Sequence, residues 1–137
     1  MGRIIAVDYG LKRCGLAETD DNKIIASPLT TVSPGELISY LEKYILKHPV
    51  ETIVIGEPKN LDGSDTDSSS MIRNFRQQLQ VKFPAVKIAM VDERFTSAMA
   101  ANSLIESGAK KKTRRDKSVT DQISAVFILQ SYLERKI

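Results

Sequence analysis

Apolar positions along this chain fall into two rhythms. Ile4-Ile5-Ala6-Val7, Ile53-Val54-Ile55 and Ile88-Ala89-Met90-Val91 are short continuous runs, the pattern of strands covered on both faces. Cys14–Thr19 and Ile24–Thr31 read as two further strands, joined by the polar turn Asp20-Asp21-Asn22-Lys23. Pro28 places the second of these at an edge, because proline cannot donate to a ladder on both sides. The other rhythm is helical. Leu37, Ile38, Leu41, Tyr44 and Ile45 share one face of a helix that starts at Ser33-Pro34-Gly35-Glu36, a capping box with proline in the first turn, and ends at His48-Pro49. Ile72, Phe75 and Leu79 mark a helix from about Asp67–Ser69 to Phe83. Thr96–Ser107 reads as a third helix, with Gly108 as its cap. Val119–Arg135 reads as a last helix, apolar nearly all round and so expected to be well buried.

The resulting order is βββαβαβαα. The first three strands form an antiparallel meander, and helical crossovers make strands one, four and five parallel. This is an α/β fold with a five-stranded mixed sheet and helices on both faces, in a single domain over residues 1–137. Ligands collect at the carboxyl ends of parallel strands. Asp8, Gly56-Glu57 and Asp92-Glu93 all fall there. Gly10 offers the freedom that the tight turn after Asp8 can need.

Charge narrows the chemistry. The net charge is +3, but residues 110–117 alone carry six cations and one acid. That loop suits a polyanion, or is simply solvated. One His and one Cys, without partner spacing, leave no Ser-His, Cys-His or zinc constellation. His48 reads as a helix-end residue. No run approaches a membrane span, so a cytoplasmic location is expected.

The acids remain. Asp8 closes a central strand, where an ionised carboxylate needs a positive partner; taken alone, it could also order the following turn. Asp92 and Glu93 leave an extended backbone on opposite faces, so one reaches the site directly. Parity alone does not decide which. Asp121 shares a helix face with Ser124, Ala125, Ile128 and Tyr132. Alone it fits a helix cap, whereas beside the other acids it fits a cluster. Clustered carboxylates need a counter-charge such as Mg²⁺ or Mn²⁺. Two such ions about 4 Å apart suit phosphodiester hydrolysis.

Four blocks in order resemble the YqgF family, also called RuvX. They are Asp8-Tyr9-Gly10-Leu11-Lys12-Arg13-Cys14-Gly15, Ile55-Gly56-Glu57-Pro58-Lys59-Asn60-Leu61-Asp62-Gly63-Ser64, Val91-Asp92-Glu93-Arg94-Phe95-Thr96-Ser97 and Val119–Gln130. The resemblance implies a ribonuclease H-like fold related to RuvC-type Holliday junction resolvases. It also implies a divalent-metal nuclease for the 5′ end of small-subunit ribosomal RNA. Carried over, the catalytic and metal-binding acids are Asp8, Glu93 and Asp121, with Asp92 or Glu57 as a further candidate. Glu57 stands where the family usually has an apolar residue, and as a loop residue it is expected to be solvated. Lys12, Arg13, Asn60, Arg94, Lys110, Lys111, Lys112, Arg114, Arg115 and Lys117 are the expected phosphate contacts.

The expected partner is structured RNA or branched DNA, bound by a monomer or homodimer. Two other classes compete. A nucleotide-binding phosphotransferase also uses an Asp-x-Gly turn, but needs two such domains. A ribosome-assembly factor that binds RNA without cutting it has no use for three retained acids.

Overall fold

A computed structural model describes residues 2–57, 69–92 and 117–135, the side chains of 117–120 and 135 excepted. The elements are β1 (Arg3–Tyr9), β2 (Cys14–Thr19), β3 (Ala26–Val32), α1 (Pro34–Lys47), β4 (Val50–Glu57), α2 (Ser69–Lys82), β5 (Lys87–Asp92) and α3 (Lys117–Arg135). The five strands form one sheet in the order β3-β2-β1-β4-β5. β1 pairs antiparallel with β2 and parallel with β4, β2 pairs antiparallel with β3, and β4 pairs parallel with β5. The expected meander and parallel half are therefore both present, with β1 at the centre. The helix expected over residues 96–107 lies outside the described residues.

Strand alternation sorts the core into two layers. Ile5, Val7, Leu16, Ile53 and Ile55 face α1 and α2, which bury Leu37, Leu41, Ile72, Phe75 and Leu79 against them. Ile4, Ala6, Ala17, Val54 and Val91 face α3, which buries Ala125, Ile128 and Leu129. These continuous apolar runs thus serve helices on both sides. α3 is less buried than expected. Its sheet-facing side is buried, while Ile123, Val126 and Phe127 remain half-exposed, Val126 at the edge of the core.

Local chemistry moves one boundary and changes one cap. β3 starts at Ala26 rather than Ile24 because Asp20 intercepts the backbone. Its Oδ1 accepts from the amides of both Ile24 and Ile25 at 2.8 Å, so neither amide is free for a ladder. The amide of Ile25, then that of Ile24, holds the Asp20 carboxyl below its usual range. Pro28 lies on an edge strand as expected, beside a register shift between Leu16 and Ala17. At the start of α1, Ser33 does not cap a backbone amide. Its hydroxyl donates to Glu36 Oε1 at 2.9 Å, closing the box between side chains instead. His48 is the C-cap, its amide donating to the Tyr44 carbonyl at 2.9 Å.

One contact ties two strands together at a defect in the ladder, and another seats a helix on the sheet. The Ile4 amide, at a register shift between β1 and β4, donates to Thr19 Oγ1 at 2.9 Å. Gly15 in β2 meets α3 so closely that a Cβ would lie 2.2 Å from the Asp121 carbonyl oxygen.

Thr19→Val keeps the side-chain shape but leaves the buried Ile4 amide without its acceptor. The expected loss is about 1–3 kcal/mol, read by urea denaturation. Gly15→Ala forces the first turns of α3 off the sheet. It should cost at least about 1–3 kcal/mol in the same measurement. Gly35→Ala, at a helical position where a Cβ meets nothing within 4 Å, serves as the control and should not destabilise.

Candidate active site

β1 delivers Asp8 to the rim of the sheet. Its neighbours settle which way it points. Tyr9 packs on Phe75 of α2, ring centroids 5.0 Å apart, so the side chain before it belongs to the α3 face with Ile4 and Ala6. Asp8 is half-buried and pairs across the ladder with Gly15. Directly paired residues in such a ladder have Cα atoms about 5 Å apart.

α3 delivers Asp121 to the same place. The Asp121 backbone lies over Gly15, where a side chain of any size would collide. Ser124, Ala125, Ile128 and Tyr132, one face with Asp121, are all buried, as the helical spacing predicts. The next residue locks this position. Gln122 Nε2 donates to Thr31 Oγ1 of β3 at 3.0 Å. Asp8 and Asp121 thus flank one glycine, from a neighbouring strand and from the helix above it.

Arg13 stands at this site rather than out in solvent. Its Nε donates to Asp121 Oδ2 at 3.1 Å, across 108 residues of sequence. The Asp121 side chain is only 24% exposed, and this pair supplies the positive charge that such a carboxylate requires. The turn that carries Arg13 is tight. A Cβ on Gly10 would lie 2.3 Å from the Arg13 carbonyl oxygen. Gly10 is needed for this closeness rather than for a left-handed backbone, which it does not adopt. Lys12, on the same turn, is exposed.

Cys14 lies just beneath. It is fully buried on the α1/α2 side and its Sγ contacts the Gly10 carbonyl at 3.7 Å. Burial first, with Asp8 and Asp121 adding to it, pushes the thiol up to about 11. The shift disfavours the thiolate, the form of cysteine that attacks or ligates.

The other candidates divide. Glu57 and Asp92 are register partners at the ends of β4 and β5. Alternation groups Glu57 with Ile53 and Ile55, and Asp92 with Ile88 and Met90, on the α1/α2 side. They therefore leave the sheet on the face opposite Asp8. Glu93, Asn60, Arg94, Lys110, Lys111, Lys112, Arg114 and Arg115 lie outside the described residues, and Lys117 opens α3. Among the described residues, no three His, Cys, Asp or Glu side chains gather as a metal site. Sequence reading missed the Arg13–Asp121 pair, the Gln122–Thr31 bond and the role of Gly15. A glycine opposite Asp8 in the predicted hairpin was the one available signal.

This arrangement has relatives. The family model described as "RuvX: Holliday junction resolvase" matches residues 2–135. A protein of Christiangramia forsetii named "Putative pre-16S rRNA nuclease" is 50% identical over 133 residues, covering 97% of this chain and 98% of that one. One of the same name from Flavobacterium psychrophilum is 48% identical over 137 residues, all of both chains. Among solved structures, T. thermophilus RuvC in complex with Holliday junction substrate superposes with a TM-score of 0.55 at 14% identity, over 98% of this chain and 96% of that one. That likeness supports the ribonuclease H-like fold that the strand order already suggests. The match along nearly the whole chain, together with relatives at about half identity, places this protein in the RuvX family.

Proposed function

We propose that the chain, as one nuclease domain, hydrolyses phosphodiester bonds in structured nucleic acid. Its substrate is precursor 16S ribosomal RNA, trimmed at the 5′ end in the cytoplasm. The observation that carries this reading is the convergence of Asp8 and Asp121 on Gly15 in a chain of the RuvX family. The names of full-length relatives at 48–50% identity favour RNA over DNA. No helix among the described residues is long and apolar enough to cross a membrane.

Asp8, Glu93 and Asp121 are the proposed ligands of Mg²⁺ or Mn²⁺. The donor set fits a hard cation, since it is carboxylate oxygen throughout, and the nearby thiol of Cys14 is buried in the layer on the other face of the sheet. A bound divalent ion supplies the positive charge that lets clustered carboxylates stay ionised, and it acidifies water. Asp8 keeps its position because β1 is the central strand. Asp121 keeps its position because α3 is seated on Gly15. Arg13 exchanges its carboxylate for a substrate phosphate, while Lys12, Asn60, Arg94 and the cations of residues 110–117 hold the flanking backbone. Hydrolysis then joins the water oxygen to phosphorus and breaks the ester bond, and the departing oxygen takes a proton.

A second reading is cleavage of a four-way DNA junction, favoured by the description of the matching family. It requires two active sites and hence a homodimer, whereas trimming RNA needs only a monomer.

Asp8→Asn should retain the fold by circular dichroism and lower Mn²⁺-dependent cleavage of precursor RNA about 100-fold or more. Wild-type cleavage by the purified variant removes Asp8 from the mechanism. Offering precursor RNA and a DNA junction side by side, with and without Mn²⁺, separates the two readings. RNA binding without metal and without cleavage of either substrate would make this a non-catalytic assembly factor.

A further inference from the structure

A cavity of about 370 Å³ opens between α1 and the β2–β3 hairpin, within the range of small-ligand sites. It lies at the amino end of β1, about 17 Å along the strand from Asp8 and on the opposite face. Two rows of side chains on α1 and its C-cap line it. Tyr40, Tyr44 and His48 follow at intervals of four, and Lys43 and Lys47 run beside them with the same interval.

The aromatic row is partly an open surface. Ring centroids are 6.5 Å apart between Tyr40 and Tyr44, and 4.9 Å between Tyr44 and His48. Tyr44 is core, only 7% exposed, but Tyr40 and His48 are half-exposed. The floor is already fixed. The Tyr44 hydroxyl donates to Glu18 and accepts from Arg3 Nη1 at 3.1 Å. Arg3 also reaches Glu18 at 3.2 Å and Asp21 at 2.9 Å. Burial, reinforced by the bond to Glu18, pushes the Tyr44 hydroxyl up to about 12, so it is neutral at physiological pH. Glu18, the one acid lining the cavity among the described residues, is therefore already engaged. Lys43 and Lys47 are exposed, and no carboxylate among the described residues pairs with either.

We propose that this cavity binds one unpaired nucleotide, its base against the Tyr40–Tyr44–His48 row and its phosphate at Lys43 and Lys47. Flat rings beside a basic track are the means by which single strands are held without sequence preference. Bases inside a duplex cannot offer their faces this way. The distance from Asp8 and the opposite face make the bound unit a flank of the substrate, or a free nucleotide, rather than the scissile residue. The flank assignment rests on the nucleic-acid reading above.

The test uses a fluorescent six-nucleotide single-stranded RNA, with adenosine monophosphate as competitor. All proteins carry Asp8→Asn so that nothing is cut. Tyr40→Leu should weaken RNA binding about 5- to 100-fold. Lys43→Ala with Lys47→Ala should reduce the slope of log affinity against log salt by about 1–2. Competition by millimolar adenosine monophosphate that is lost in Tyr40→Leu identifies a free nucleotide as the occupant. Binding that needs the oligonucleotide identifies a strand. Unchanged affinity and salt slope in both variants, or no binding of either probe by the Asp8→Asn parent, overturns the site. Cleavage by protein with Asp8 intact is measured separately, so loss of this site and loss of the nuclease reading give different results.

Discussion

The close approach of α3 to β2 at Gly15 governs this molecule. The Asp121 carbonyl sits where a side chain on residue 15 would begin, so only glycine lets the helix down to that depth. A strand position without a side chain normally weakens a sheet. Here the vacant volume is filled by helix backbone. Because Gly15 is the ladder partner of Asp8, the contact that seats the helix also brings its carboxylate to the carboxyl end of the central strand. Tyr9, engaged with Phe75 on the other face, prevents a one-residue slip that would turn Asp8 away.

That packing sets an electrostatic problem, and the neighbouring residues answer it in different ways. Asp121 is largely covered and is met by Arg13. Cys14 is fully covered, and that burial, with the nearby carboxylates of Asp8 and Asp121 adding to it, pushes its thiol up. The turn between β1 and β2 joins these solutions. Its tightness at Gly10 sets the Arg13 backbone, and Arg13 in turn reaches across to the helix. A site that holds a carboxylate with a movable cation can exchange that cation for another, which a buried apolar contact cannot do.

Much of this was legible in the residues, and the reasons for the rest are physical. Hydrophobic period reports which positions are covered, so the strands, the crossovers and the buried face of α3 followed from it. It does not report which layer covers them. The two sides of the sheet are both apolar, and the directions of Glu57 and Asp92 emerged only once Ile55 and Met90 were assigned to the α1/α2 layer. Period is equally blind to a side chain competing for backbone amides, which is how Asp20 delays β3 by two residues relative to the apolar run. Arg13 was expected only as a phosphate contact, and its pairing within the fold was not foreseen. Its partner lies 108 residues away, and no local pattern reaches that far.

The same distinction between local and summed properties applies to recognition. A net charge of +3 says little about a phosphate's encounter, because at physiological salt a charge is felt over only about 8 Å. What matters is which cations internal pairing leaves over. Arg3 is committed to Glu18 and Asp21, Lys23 to Glu51, Lys82 to Glu42 and Arg13 to Asp121. Lys12 beside the acids, and Lys43 and Lys47 beside the aromatic row, have no such commitment among the described residues. Among the described residues, these lysines lie toward the two ends of the sheet. Lys12 on one side and Lys43 with Lys47 on the other thus offer a polyanion separated points of attraction, farther apart than that screening distance.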